Sequence, residues 1–121
     1  MREKVLMVDD EPDVVELVKL MLGPEGYDVI SASGGLECLE MMDNEDIDAI
    51  LLDIMMPDMD GWETFHKIKQ KDPTMPVAIL TSISEEFDRM IGLQVLKADD
   101  YVTKPFDSKQ LLGCVKGLFK D

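Results

Sequence analysis

Five short apolar runs punctuate this chain, and between them the apolar positions recur at intervals of three and four. The runs are KVLMV (4–8), YDVISA (27–32), DAILLD (48–53), PVAILT (76–81) and DYVT (100–103). Their β-branched and leucine-rich character predicts strands. The segments between them predict helices. The first helix opens with Pro12 in its first turn, where a missing N–H costs nothing, and carries Val14, Leu17, Val18, Met21 and Leu22 until GPEG (23–26) stops it. Leu36, Leu39 and Met42 mark a second helix. Trp62, Phe65 and Ile68 mark a third, which follows an Asp60-Gly61 turn and must end before Pro73. Phe87, Met90, Ile91 and Val95 mark a fourth, capped by Ser82 with Glu85 as a capping box or by Ser84. Asp107 with Gln110 opens a fifth, bearing Leu111, Val115 and Leu118.

Strict strand-helix alternation implies a parallel sheet, because parallel neighbours need crossovers and the crossovers cover both faces. The expected fold is therefore α/β, a (βα)5 doubly wound parallel five-stranded sheet. At 121 residues the chain is sized for one domain, 1–121. Twelve Lys and Arg against 26 Asp and Glu give a formal net charge of −14, which repels a phosphate backbone and an anionic bilayer. Direct binding to nucleic acid or membrane is not expected. Cys38 and Cys114 have neither paired spacing nor a histidine cluster, so they read as reduced residues of a cytoplasmic protein. MREKVLMVDD is too short of apolar residues for a signal peptide or membrane span.

In open sheets of this kind ligands bind beyond the carboxyl ends of the strands, where the strand order reverses. The residues at those ends are Asp9 and Asp10, Asp53, Thr81 and Ser82, and Lys104. In the common order 2-1-3-4-5, strands one and three flank the switch point and bring three carboxylates together. Such a gathering is costly without a cation. Magnesium suits the donor set, being hard, oxygen-seeking and matched to a phosphate substrate. Three acids, one Mg²⁺ and the compact charge of Lys104 sum to zero, a pocket that a phosphoryl dianion can approach. An aspartate held there is a candidate nucleophile, and the Thr81 hydroxyl can donate to a transferring oxygen.

Taken jointly and in order, VDDEP (8–12), LLDIMMPDMDG (51–61), ILTS (79–82) and DDYVTKPF (99–106) resemble a response-regulator receiver domain of two-component signalling, CheY-like and flavodoxin-like in architecture, over essentially the whole chain. The order 2-1-3-4-5 is that of chemotaxis receivers and is carried over from them, not worked out from this sequence. The resemblance implies Asp53 as phosphoacceptor and Asp10 as a direct ligand of Mg²⁺, with Mn²⁺ a substitute. Asp9 would act mainly through water, and the Met55 backbone carbonyl would complete the metal shell. It implies Thr81 as the switch hydroxyl, Lys104 as the family's lysine, Tyr101 as the switch aromatic, and a cis peptide before Pro105. The phosphoryl donor would be a histidine kinase or phosphotransfer protein. The surface of the fourth helix, fifth strand and fifth helix would then bind a downstream protein or a second copy of the chain. A receiver of this kind is a phosphoacceptor rather than an enzyme, catalysing only its own phosphotransfer and slow autodephosphorylation.

Plainer readings compete. Asp9 and Asp10 could merely serve a helix N-terminus, Asp53 a turn, Thr81 a strand and Tyr101 the core. His66, the one histidine, reads as a surface residue, and DMDG (58–61) lacks the further acids of a calcium loop. An aspartyl-nucleophile phosphatase needs a second acid two residues after Asp53, where Met55 stands. A flavin-binding domain needs a phosphate loop that DDEPD (9–13) would repel. A receiver that docks without phosphorylation is the remaining alternative. Ser82 and Lys97 depart from the residues usual in the family, and Lys97 leaves the end of the fourth helix open. Met55 and Ile83, two residues past Asp53 and Thr81, would flank an attacking water with apolar groups and lengthen the phosphoryl lifetime. With only Lys120 and Asp121 after the fifth helix, no output domain is expected in this chain.

Overall fold

Runs such as AILLD and VAILT have no polar alternation, so each of these strands must be covered on both faces. A computed structural model describes residues 2–54, 61–81 and 98–119, with Thr81 described by its backbone alone. It places strands β1 (Lys4–Val8), β2 (Asp28–Ala32), β3 (Ala49–Asp53), β4 (Val77–Thr81) and β5 (Asp100–Thr103) in one sheet. The order is β2-β1-β3-β4-β5, and every neighbouring pair is parallel. The α/β fold and the 2-1-3-4-5 order are those expected from the alternation and the resemblance.

Alternation along each strand divides the core in two. Val5, Met7, Leu51, Ala78, Leu80 and Val102 face helix α1 (Pro12–Leu22) and the C-terminal helix (Ser108–Leu118), meeting Val15, Val18, Leu22, Leu111, Cys114 and Val115. Leu6, Val8, Ile50, Leu52 and Ile79 face the other way, onto Cys38 of α2 (Gly35–Asn44) and Phe65 and Ile68 of α3 (Gly61–Lys71). Helices therefore cover both faces. The predicted fourth helix, with its caps and Lys97, lies outside the described residues.

Local chemistry fixes the helix ends. Pro12 begins α1 from an extended Glu11. The chain leaves α1 through a short 3₁₀ turn, Gly23–Glu25, and Gly26 at φ 97° makes the left-handed step that a side chain resists. Asp107 and Gln110 form the expected capping box: the Gln110 N–H donates to Asp107 Oδ1 at 2.7 Å and the Asp107 N–H to Gln110 Oε1 at 2.9 Å.

Two helix faces differ from expectation. In α1 the buried stripe is Val15, Val18 and Leu22, while Leu17 is 44% exposed and Val14 and Met21 are only partly buried. In α2 the buried positions are Gly35 and Cys38, and Leu36 is 57% exposed. Leu39 and Met42 pack partly buried against the core as expected, and of the expected stripe only Leu36 lies at the rim. Cys38 and Cys114 are free and buried, and burial pushes each thiol up to about 12, with Asp100 adding to the effect at Cys114. No described helix is long and apolar enough to cross a membrane.

Candidate functional site

Sheet register builds the site. Val8 pairs with Leu52, so the residues that follow them, Asp9 and Asp53, emerge side by side from adjacent central strands. Asp53 pairs in turn with Leu80, which places Thr81 one position further along β4. Thr81 pairs with Thr103, directly before Lys104. Four sequence-distant residues thus reach the carboxyl edge of the sheet for no reason beyond hydrogen-bond register.

Asp9 and Asp53 are each 2% exposed, whereas Asp10 is exposed. One carboxylate oxygen from each of the three can be chosen so that all lie within 4.8 Å of one another. The Lys104 ammonium donates to Asp9 Oδ2 at 2.8 Å and to Asp53 Oδ2 at 3.3 Å. Burial works to lower the lysine's pKa, but the hydrogen bond and charge of Asp9 together with the charge of Asp53 outweigh it, and the ammonium is held above its usual range. It is a lysine fixed in its charged form. The other Asp9 oxygen accepts the Glu11 N–H at 2.9 Å, just ahead of α1.

The remaining expected residues are distributed as follows. The Lys104–Pro105 peptide is cis, as the resemblance implied. Tyr101 is partly buried against the α2 and α3 side of the core, which agrees equally with a core aromatic and with a switch. His66 is exposed on α3, its ring edge-on to Phe65. Met55, Ser82 and Ile83 lie outside the described residues. A cleft of about 250 Å³ beside the acids, between α1 and the end of β2, is lined by Asp9, Asp10, Pro12, Glu16, Lys19 and Ser33 among others.

Gly61 has a role that its reading as a turn did not reveal. Its N–H donates to the Ile54 carbonyl at 3.2 Å, drawing together the two ends of the segment that follows Asp53. A Cβ at Gly61 would lie 2.7 Å from both the Ile54 Cβ and the Ile54 carbonyl oxygen, and closer still to its Cα. The signal in sequence was a glycine at the first helical position, directly after Asp60, where a good helix former would ordinarily serve. All buried side-chain nitrogen and oxygen atoms among the described residues have hydrogen-bond partners.

Three carboxylates form a hard, all-oxygen donor set, with one exposed member through which an ion can enter. The residues present therefore fit Mg²⁺.

Comparison with known proteins agrees with this geometry. The family model for the response regulator receiver domain matches residues 5–116. The chain is 42% identical over 120 residues to the alkaline phosphatase synthesis transcriptional regulatory protein PhoP of Bacillus subtilis (strain 168), covering 99% of this chain and 50% of that protein. It thus spans half the length of that relative. Among solved structures, the response regulator TrrA of Thermotoga maritima, in complex with Mg²⁺ and BeF, is 34% identical with a TM-score of 0.86, covering 97% of this chain and 99% of that one. A CheY-like receiver domain protein of Methanospirillum hungatei JF-1 is 31% identical with a TM-score of 0.88, covering 96% and 92%.

Proposed function

The chain belongs to the response regulator receiver family, and from that premise we propose that it takes a phosphoryl group from a histidine kinase, or from a phosphotransfer protein, onto Asp53. One observation carries this reading: Asp9, Asp10 and Asp53 gather within 4.8 Å at the carboxyl edge of the sheet, with the Lys104 ammonium upon them. A fold needs no such concentration of like charge. A site for a dianion and its counter-ions does.

Asp53 ends its strand at the carboxyl edge of the sheet, beside the Lys104 ammonium. Its carboxylate forms the new P–O bond as the donor's P–N bond breaks, and the donor imidazole leaves with the electron pair. Asp10 and Asp53 would hold Mg²⁺ or Mn²⁺, assisted by the Met55 carbonyl and, through water, by Asp9. When bound, the ion supplies positive charge against the phosphoryl oxygens. The likeness to TrrA, solved with Mg²⁺ and BeF, supports this assignment.

Lys104 brings a second positive charge, already held ionised by the acids. The Thr81 hydroxyl donates to the new group, Tyr101 turns inward, and the surface of the fourth helix, β5 and the C-terminal helix changes its preference for a downstream protein or a second copy of the chain. This is a local charge event biasing a two-state element. A domain that serves in such a relay would work in the cytoplasm, beside the kinase's phosphohistidine.

The test is to incubate the protein with acetyl phosphate and Mg²⁺, trap acyl phosphate by borohydride reduction, and map the modified peptide. Modification at Asp53 alone, abolished by EDTA, is expected. Modification at another residue, or equal yield without the divalent ion, contradicts the proposal.

A further inference from the structure

Little in the sequence of β5 fixes its alignment. The strand is four residues long, lies at the edge of the sheet with β4 as its only neighbour, and buries only Val102 of DYVT. Register is strongly specified where a strand buries a whole face, and weakly where it does not. Yet Lys104 follows this strand directly, and its ammonium must meet Asp9 Oδ2 at 2.8 Å and Asp53 Oδ2 at 3.3 Å. A slip of one position would turn every side chain of β5 to the opposite face. A slip of two would keep the faces but carry Lys104 about 6.6 Å along the sheet, at a rise of roughly 3.3 Å per residue. Either slip takes the ammonium away from the place where it meets both acids.

The start of the strand carries the missing constraint. The Asp99 N–H donates to the Val77 carbonyl at 2.9 Å, and the Val77 N–H donates in return to Asp99 Oδ2 at 2.8 Å. A side-chain oxygen thus takes the place of a ladder carbonyl, and the two residues close a ring that only this alignment permits. The same Oδ2 accepts the Lys69 ammonium at 3.3 Å. That ammonium also donates to the Met75 carbonyl at 2.6 Å and stands 5.9 Å from the centroid of the Phe65 ring. The Asp99 carboxylate is therefore held from α3 as well as from β4, at the amino edge of the sheet, with the whole length of β5 between it and Lys104.

We propose that Asp99, held by Val77 and Lys69, is the register pin of β5 and so a positioning residue for Lys104. Asp99 takes no part in the chemistry. It fixes where the strand begins, and the length of the strand then fixes where the ammonium arrives. The use of that ammonium against a phosphoryl group rests on the function proposed above, whereas its placement upon Asp9 and Asp53 does not.

The carboxyl ¹³C resonances of Asp9 and Asp53, read in EDTA, test the pin in the unaltered chain, Asp99→Ala, Lys104→Gln and the double variant. Lys104→Gln is expected to shift both signals, because it removes their cation. Asp99→Ala is expected to shift them in the same direction, and to add nothing once Lys104 is gone. Asp99→Asn keeps an acceptor for the Val77 N–H and is expected to return them toward their unaltered positions; absence of that rescue counts against the proposal. Unmoved signals in either single variant overturn it, as do Asp99→Ala shifts of equal size with and without Lys104, which would report a general loosening of the sheet. Should Asp99→Ala fail to fold, amide exchange in the unaltered protein still decides: Val77 N–H is expected to be protected, and exchange at the rate of a free amide overturns the pin. Labelling of Asp53 by acetyl phosphate is read separately, so that a protein showing the expected shifts but taking no label supports the pin while refuting the function.

Discussion

Asp53 stands where a strand with four apolar predecessors would ordinarily place a fifth, and its replacement separates chemistry from folding. Asp53→Asn is expected to fold with an unchanged far-ultraviolet spectrum and to take no label from acetyl phosphate; labelling at the level of the unaltered chain would dissociate this residue from acceptance. Gly61 is the opposite case, a residue with no chemistry whose loss of a hydrogen atom matters. Its Cβ would collide with Ile54, next to Asp53. Gly61→Ala is therefore expected to cost roughly 1–3 kcal/mol in urea denaturation. At Met55 and Ile83, polar replacements together should speed loss of the phosphoryl group, read as a faster decay of labelled protein, and an unaltered decay would remove these side chains from any role in its lifetime. The acids and Lys104 were legible because charged residues at strand ends are conspicuous in sequence. The requirement at Gly61 was not, since it depends on how close one backbone passes to another.

Elements were legible where local chemistry decides them. DYVT, the end of α3 before Pro73 and the Asp107–Gln110 box all follow from propensity, a helix breaker and a cap, and each is found at its expected place. Removing the Asp107 side chain by Asp107→Ala should cost about 0.5–2 kcal/mol, measured by thermal or chemical unfolding. The inward faces of α1 and α2 were less legible. Leu17 and Leu36 are as apolar as their buried neighbours, yet which side of a helix meets the sheet depends on crossing geometry and on how near small residues such as Gly35 and Cys38 allow it to approach. Buried thiols offer a check on that packing. With both pushed up to about 12, neither Cys38 nor Cys114 should react with a disulfide reagent near pH 8, about where a free thiol begins to ionise, until the chain unfolds. Fast native-state labelling would place a thiol outside the core described here.

For the molecule as a whole, fold class and site location come from one fact, that strict strand-helix alternation places every strand's carboxyl end on the same edge. The strand order itself came from resemblance, because alternation alone does not dictate which strands are neighbours. A formal charge of −14 makes self-repulsion a global term, so added salt should stabilise the protein even without a specific site. The specific term is Lys104. Its pKa is raised in the folded state, so its pairing contributes fully below the unfolded value, about 10.4, and is lost as pH rises through the folded value. Lys104→Gln should therefore show a stability deficit in EDTA that is constant from about pH 6 to 9 and narrows above about pH 10.4. A deficit that already shrinks across the neutral range would mean that the lysine is not held as a cation by these acids.

The central claim is that clustered acids at this edge hold a divalent ion beside an acceptor carboxylate. A crystal structure grown with Mg²⁺ and beryllium fluoride tests it most directly. A beryllium fluoride group bonded through beryllium to an Asp53 carboxylate oxygen is expected, with the metal ligated by Asp10 and Asp53. Unmodified Asp53, with the three carboxylates turned away from one another and no ion between them, would contradict it.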